Sequence, residues 1–221
     1  MPTLYVVATP IGNLEDITLR ALRVLREVDL IAAEDTRRTL RLLNHYNIKK
    51  PLISYHEHNK LARIPEILKI LEEKDVALVS DAGVPGVSDP GRELVAAALE
   101  AGFKVVPIPG PSAIPTALSV SGLPADQFLF LGYLPRKRSE RRKLLSSVAE
   151  EERTLVAFEA PHRLRESLSD ILEVLGDREI AVCRELTKLH EEIFRGKVSE
   201  ALERFREPLG EFTLVLAGKG R

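Results

Sequence analysis

Val76-Ala77-Leu78-Val79-Ser80-Asp81-Ala82-Gly83-Val84-Pro85-Gly86-Val87-Ser88-Asp89-Pro90-Gly91 is a compact apolar run that passes directly into a loop with three glycines and two prolines. Four uninterrupted apolar residues read as a strand covered on both faces, as in a parallel sheet. A helical stretch, Glu93 to Ala101, comes after the loop. In open α/β sheets ligands sit at the carboxyl ends of strands, which is where such a loop lies. A plain strand-to-helix turn needs one glycine. Three allow close approach of the backbone to a ligand, with N–H and C=O groups as contacts. Asp81 is placed to accept from a ribose hydroxyl or an amino group.

The neighbouring sequence repeats the pattern. Leu4 to Ala8 reads as a strand broken by Thr9-Pro10-Ile11-Gly12-Asn13, and Thr18 to Val28 carries Leu19, Leu22, Leu25 and Val28 at helical spacing. Leu30 to Ala33 and Leu52 to Ser54 are further strands. Asp35 stands as an N-cap ahead of Leu40, Leu42 and Leu43, and Leu61 to Leu71 is a helix. Lys104 to Ile108 ends in a second stiff loop, Pro107-Ile108-Pro109-Gly110-Pro111-Ser112-Ala113, in which Ser112 stands as a helix N-cap. The loop Thr9 to Asn13 has neither the dinucleotide fingerprint nor a P-loop lysine, so it is not expected to cradle phosphate.

After Ala125 the pattern changes. Strands at Phe128 to Leu131, Thr154 to Phe158, Glu179 to Cys183, Glu192 to Phe194 and Thr213 to Ala217 surround helices at Ser139 to Ala149, Arg163 to Leu175 and Val198 to Phe205. Adjacent strands without a helix between them imply antiparallel pairing. The expected fold class is α/β with two α/β domains, residues 1–119 with a mostly parallel sheet and residues 120–221 with a mixed sheet. Gly122 and Pro124 supply the linker.

Composition narrows the function classes. The 221 residues carry 32 Lys and Arg against 33 Asp and Glu, a net charge of −1, so any nucleic-acid site must be a local patch. Arg136-Lys137-Arg138-Ser139-Glu140-Arg141-Arg142-Lys143 is such a patch, with six cations in eight residues, and Arg37, Arg38 and Arg41 extend it. Phosphate contacts from these side chains would hold RNA in register. The single cysteine, Cys183, excludes an intramolecular disulfide and reads as core, which fits a reducing cytoplasm. The longest uncharged stretch, Val105 to Ala125, holds five prolines and is not a membrane span. The first cation is Arg20, so no basic signal-peptide region is expected. His56-Glu57-His58 could face two imidazoles one way, but no third ligand is evident. No metal is expected, and the segment reads as a substrate-facing loop.

Taken together, Thr9 to Asn13, Ala33-Glu34-Asp35-Thr36-Arg37, Ser80 to Gly91, Pro109-Gly110-Pro111-Ser112 and Glu159-Ala160-Pro161-His162-Arg163 resemble the tetrapyrrole-methylase superfamily. The atypical first loop and the basic run point to its RNA-modifying branch. The resemblance covers essentially the whole chain. It implies a cofactor cleft between two α/β domains, a homodimer, and methylation of a cytidine ribose 2′-oxygen in 16S ribosomal RNA of the small subunit, with S-adenosylmethionine as donor. Carried over by position, cofactor contacts fall on Pro10, Asp81, Gly83, Val84, Ser112, Ala113, Ala160 and Thr213, with Leu131 and Gly132 lining the same cleft. Residue patterning supports the first-domain positions and is silent on Ala160 and Thr213.

Methyl transfer from a sulfonium is an in-line displacement, so positioning should supply most of the acceleration. A ribose hydroxyl is a poor nucleophile, and a nearby base or acceptor would help. Glu34, Asp35, Glu159 and His162, all in loops or at strand ends, are the candidates. Two other readings are methylation of a tetrapyrrole ring carbon, and a non-catalytic RNA-binding module that retains the fold.

Overall fold

The computed structural model describes residues 2–220. It divides into two compact units between Ser112 and Ala113. The first unit alternates strands and helices as the sequence predicts: β1 (Thr3–Val7), α1 (Leu19–Glu27), β2 (Leu30–Ala33), α2 (Thr36–His45), β3 (Leu52–Ser54), α3 (Lys60–Leu71), β4 (Val76–Val79), α4 (Arg92–Glu100) and β5 (Lys104–Ile108). All pairings are parallel, in the order β3-β2-β4-β1-β5. Residues 76 to 79 are buried throughout, as a strand covered on both faces requires. Helix starts are set locally: Thr18 Oγ1 accepts from Ala21 N at 3.1 Å, and Asp35 Oδ1 from Arg37 N at 2.8 Å.

The two faces of this sheet are covered differently. One core joins Ala21, Leu22 and Leu25 of α1 with Leu42 and Leu43 of α2, and the other joins Ile67 and Leu71 of α3 with Leu94 and Ala98 of α4. β1 and β2 therefore send the chain to one face, β3 and β4 to the other. Along the order β3-β2-β4-β1 the departures alternate. Every neighbouring pair of strands thus opens a gap at its carboxyl end, where ligand sites of open sheets form.

The second unit holds α5 (Ala113–Ser121), β6 (Phe128–Tyr133), α6 (Arg138–Ser147), β7 (Thr154–Glu159), α7 (Pro161–Leu175), β8 (Glu179–Arg184), β9 (Glu192–Lys197), α8 (Val198–Arg204) and β10 (Phe212–Leu216). The sheet is mixed, in the order β6-β7-β10-β8-β9, with only β6 and β7 parallel. Leu145 of α6, Leu164, Leu168 and Ile171 of α7 and Val198 and Ala201 of α8 pack with Phe212, Leu214 and Leu216 on one face. The alternate residues Thr213 and Val215 belong to the opposite face, and α5 packs against β10, β8 and β9. Cys183 is buried there too, its thiol pushed up to about 11 by burial.

The helix α5 starts directly after Ser112, where the N-cap reading places a helix start, and runs through an apolar, proline-containing stretch. Pro115 falls in its first turn, where a missing N–H costs nothing. A boundary at residues 119/120 would leave this helix with the first unit. Instead Ile114, Ala117 and Leu118 bury against the second sheet, and Arg195 of β9 donates through Nε to Val120 O at 2.7 Å. Among the described residues no helix is long and apolar enough to cross a membrane, and no group of three metal-ligating side chains occurs.

Candidate functional site

The carboxyl edge of the parallel sheet gathers most of the first-unit candidates. Between β1 and β4 the gap is stitched by backbone. Thr9 N donates to Gly83 O at 2.9 Å and Gly83 N to Thr9 O at 3.0 Å, while Thr9 Oγ1 donates to Ser80 O at 3.1 Å. This corrects one expectation from the glycine count. Both main-chain polar groups of Gly83 are engaged, so its contribution to a ligand is shape rather than exposed N–H and C=O. Its φ of +81° is left-handed, and a Cβ there would meet Ile11 Cγ2 at 3.6 Å and Pro111 O at 3.8 Å. Pro10 is buried beside this stitch, Val84 is half-buried, and Ser112 immediately precedes α5.

Between β2 and β4 the gap is filled by carboxylates. Asp81 N donates to Glu34 Oε2 at 3.2 Å, and Asp35 N donates to Asp81 Oδ1 at 2.9 Å. Arg38 Nε stands 3.5 Å from Asp81 Oδ2. Glu34 is held above its ordinary carboxylate range, chiefly by burial, with the Asp81 charge adding to it. Asp35 does what a cap does. Its carboxylate takes the Arg37 N–H and guanidinium, which hold it well below the usual range.

Patterning did not single out Asp89, which joins this cluster from the far end of the glycine loop. Burial pushes its carboxyl up to about 7, and the charges of Glu34 and Asp81 act in the same direction. Between the ordinary carboxylate range and about pH 7 the folded chain keeps a proton that the unfolded chain has lost. Stability contributed by this group therefore falls as pH rises through that window. Asp89→Asn should flatten the decline in melting temperature between pH 5 and pH 8 and raise the value at pH 8. Parallel profiles for variant and wild type would show that Asp89 titrates normally.

The second-unit candidates lie at the carboxyl ends of β6 and β7 and the start of β10. Gly132, at φ +69°, marks an irregularity in the β6–β7 register between Phe130 and Tyr133, and Leu131 beside it is half-buried. Ala160 precedes α7 and is half-buried, as is Ala113 at the start of α5. Thr213 is 5% exposed and pairs with Phe158 and Cys183 inside the sheet. His162 is exposed in the first turn of α7, beside a hollow it lines with Pro161, Arg165 and Leu209.

Two expectations are corrected by burial. Glu159 is 1% exposed, and both carboxylate oxygens are taken, Oε1 by Ala160 N and the Arg163 guanidinium at 2.8 Å each, Oε2 by the Ser167 hydroxyl at 2.5 Å. It anchors the start of α7 and is not a free base. Arg141 is 0% exposed. Its Nε donates to Asp170 Oδ2 at 2.8 Å and its Nη1 to Pro135 O at 3.3 Å, so it cannot reach a phosphate. Arg138 and Arg142 also engage Asp170 and Glu173, although both keep exposed surface. Arg136, Lys137 and Lys143 point to solvent, with Lys137 pairing Glu140 at 3.2 Å. Arg37 and Arg38 are exposed on α2 in the first unit.

The chain thus joins a parallel unit with an acidic, glycine-lined strand edge to a mixed-sheet unit. The family model for Tetrapyrrole (Corrin/Porphyrin) Methylases matches residues 3–202, and the chain belongs to that family. Among curated relatives, a protein of Thermotoga maritima named ribosomal RNA small subunit methyltransferase I is 58% identical over 99% of this chain and 100% of its own length. Proteins of the same name from Synechocystis (54% identical) and Bacillus subtilis (51%) each align over 99% of this chain and 80% and 76% of theirs. A crystal structure of uroporphyrin-III-C-methyltransferase from Thermus thermophilus shares the fold. Its TM-score is 0.68 at 23% identity, covering 97% of this chain and 94% of that one.

Proposed function

We propose that this chain methylates the ribose 2′-oxygen of a cytidine in 16S ribosomal RNA of the small subunit, using S-adenosylmethionine, as a cytoplasmic homodimer. One observation carries the reading: 58% identity along the full length of a protein named for methylating small-subunit ribosomal RNA. The wider family, in which tetrapyrrole methylases share the fold, supports methyl transfer as the chemistry.

The residues at the first sheet's carboxyl edge suit this donor. When bound, S-adenosylmethionine supplies an electrophilic methyl carbon on a positively charged sulfur. Glu34 and Asp81 offer acceptors and negative charge, and Asp89 a further carboxyl, for a ligand bearing an ammonium, a sulfonium and ribose hydroxyls. The left-handed Gly83 keeps the wall beside Ile11 and Pro111 clear of a side chain. Pro10, Val84, Ser112, Ala113, Leu131, Gly132, Ala160 and Thr213 complete the proposed contacts. Arg136, Lys137 and Lys143, with the exposed parts of Arg138, Arg142, Arg37 and Arg38, bind flanking phosphates without reading sequence.

Small subunits lacking the modification should gain one methyl group per particle on incubation with the chain and labelled donor. Mapping should place it on a cytidine ribose, and a porphyrinoid acceptor should gain none. Methylated porphyrinoid with unlabelled RNA would overturn the RNA assignment. Failure to bind the donor in a calorimeter would overturn the enzyme.

A further inference from the structure

The third gap of the first sheet, between β3 and β2, contains the segment His56-Glu57-His58. Tyr55 N donates to Ala33 O at 2.8 Å, which carries the β3–β2 pairing one residue past β3. Asn59 then fixes the backbone. Its Oδ1 accepts from His56 N at 2.8 Å, and its Nδ2 donates to Ser54 O and Oγ at 3.2 and 3.1 Å. Lys60 N and Asn59 N donate to His56 O at 2.9 and 3.0 Å. The half-buried His56 is thus held on a rigid loop beside the carboxylate gap. Its Nδ1 is shut off from solvent and has no hydrogen-bond partner among the described residues. A buried imidazole nitrogen without a partner is costly, and such exceptions call for an explanation.

The neighbour that matters is Glu34: it follows Ala33 as His56 follows Tyr55, so the Tyr55 N–Ala33 O bond brings the two residues to adjacent strand ends. Neighbouring strands are about 4.8 Å apart, so the ends of β4 and β3, with β2 between them, are separated by about 10 Å. Side chains from those ends can converge on one bound molecule. We propose that His56, as the neutral imidazole, is the general base for the acceptor hydroxyl and that Glu34 positions it and stabilises the imidazolium that forms, a closing of the pair that completes when substrate binds. Catalytic hydrogen bonds are often unformed in the free enzyme and tighten in the complex. The inference rests on the methyltransferase reading above.

The step balances simply. The acceptor oxygen forms its bond to the methyl carbon as its O–H proton passes to the imidazole. The electron pair of the broken carbon–sulfur bond stays on sulfur, which leaves as a neutral thioether. The charged and titratable groups around His56 are Glu34, immediately after β2, with Asp81 and Arg38 bearing on that carboxylate. Glu57 and His58 lie on its own loop, with the His58 ring centroid 6.0 Å away, and Lys60 of α3 is tied to Glu93 of α4.

Two measurements test this on the full chain. With small subunits as acceptor, His56→Gln should lower kcat by about 100-fold or more, the usual contribution of a general base, while KM and donor affinity by calorimetry stay within about threefold. Separately, at saturating donor, Glu34→Gln should lower kcat in the wild-type background but add little once His56 is replaced by Gln, because a positioning group acts only through the base it positions. A merely structural Glu34 would lower kcat by the same factor in both backgrounds. If wild type methylates RNA and His56→Gln keeps its kcat within threefold, the base assignment falls while the function stands. An equal effect of Glu34→Gln in both backgrounds removes the positioning role. If wild type methylates no RNA, the function itself fails.

Discussion

Asp170→Ala should lower the stability of the second unit by about 3–5 kcal/mol, the usual cost of stripping the partner from a buried charge. Asp170 is 1% exposed and faces the fully buried Arg141 at 2.7 Å, with Arg138 at 2.9 Å and Arg142 at 3.4 Å. Burial would raise its pKa, but the hydrogen bonds from Arg138 and Arg141 outweigh it and hold the carboxyl below its ordinary range. Its contribution is therefore complete above the unfolded-state pKa and is lost as pH falls through the lower folded value. Removing the carboxylate leaves a guanidinium in the core faced by the carbonyl oxygens of Pro135 and Arg136 and, among carboxylates, by Glu166 at 3.5 Å. Urea unfolding followed by circular dichroism should show a large drop in midpoint for the single variant. Arg141→Met with Asp170→Leu should recover much of it, because an apolar pair carries no desolvation cost. A single-variant loss below about 1 kcal/mol would mean that water reaches Arg141.

Gly83→Val should weaken S-adenosylmethionine binding at least tenfold, equivalent to about 1.4 kcal/mol. Two effects combine. A β-branched residue at φ +81° is strained by about 1–2 kcal/mol, and its methyl groups extend from a Cβ already at van der Waals contact with Ile11 and Pro111. Gly102 separates them, since it has the same φ of +81° and nothing within 4 Å of its Cβ position. Gly102→Val should lower the melting temperature by a similar few degrees and leave calorimetric affinity unchanged. Equal affinity in Gly83→Val and wild type would take the loop out of the site.

The alternation of the first unit was legible because each strand is a short apolar run closed by a Gly/Pro break, and periodicity reads such elements directly. The second unit's strands and three main helices were legible for the same reason. The start of α5 was legible from Ser112, but its membership of the second unit was not, because the sheet that it covers lies later in the chain. Arg141 was misread although its placement had a signal. Residues 138, 141 and 142 share one helical face, and 166, 170 and 173 share another, so a basic stripe opposes an acidic one. Recognising that needs the packing of α6 on α7, which is tertiary. The same limit hid Glu159: a glutamate at a strand end gives no hint that Arg163 and Ser167, one and two turns into the next helix, will consume it. Asp89 lay within a loop already singled out, but its raised pKa comes from burial and from Glu34, more than fifty residues away.

The position of β1 bears on how the chain is made. The strand of the first unit that is synthesised earliest lies inside the parallel sheet, flanked by β4 and β5. Thr3 N donates to Asp75 Oδ1, a partner 72 residues downstream, and Val7 pairs with Ile108. Neither edge of β1 can be satisfied until most of the first unit has been synthesised, so early segments wait as unpaired β-forming chain. Long loop closure before reward makes such topologies slow and exposes them to aggregation. Translation speed across residues 76 to 108, rather than across β1 itself, then governs when this unit can close.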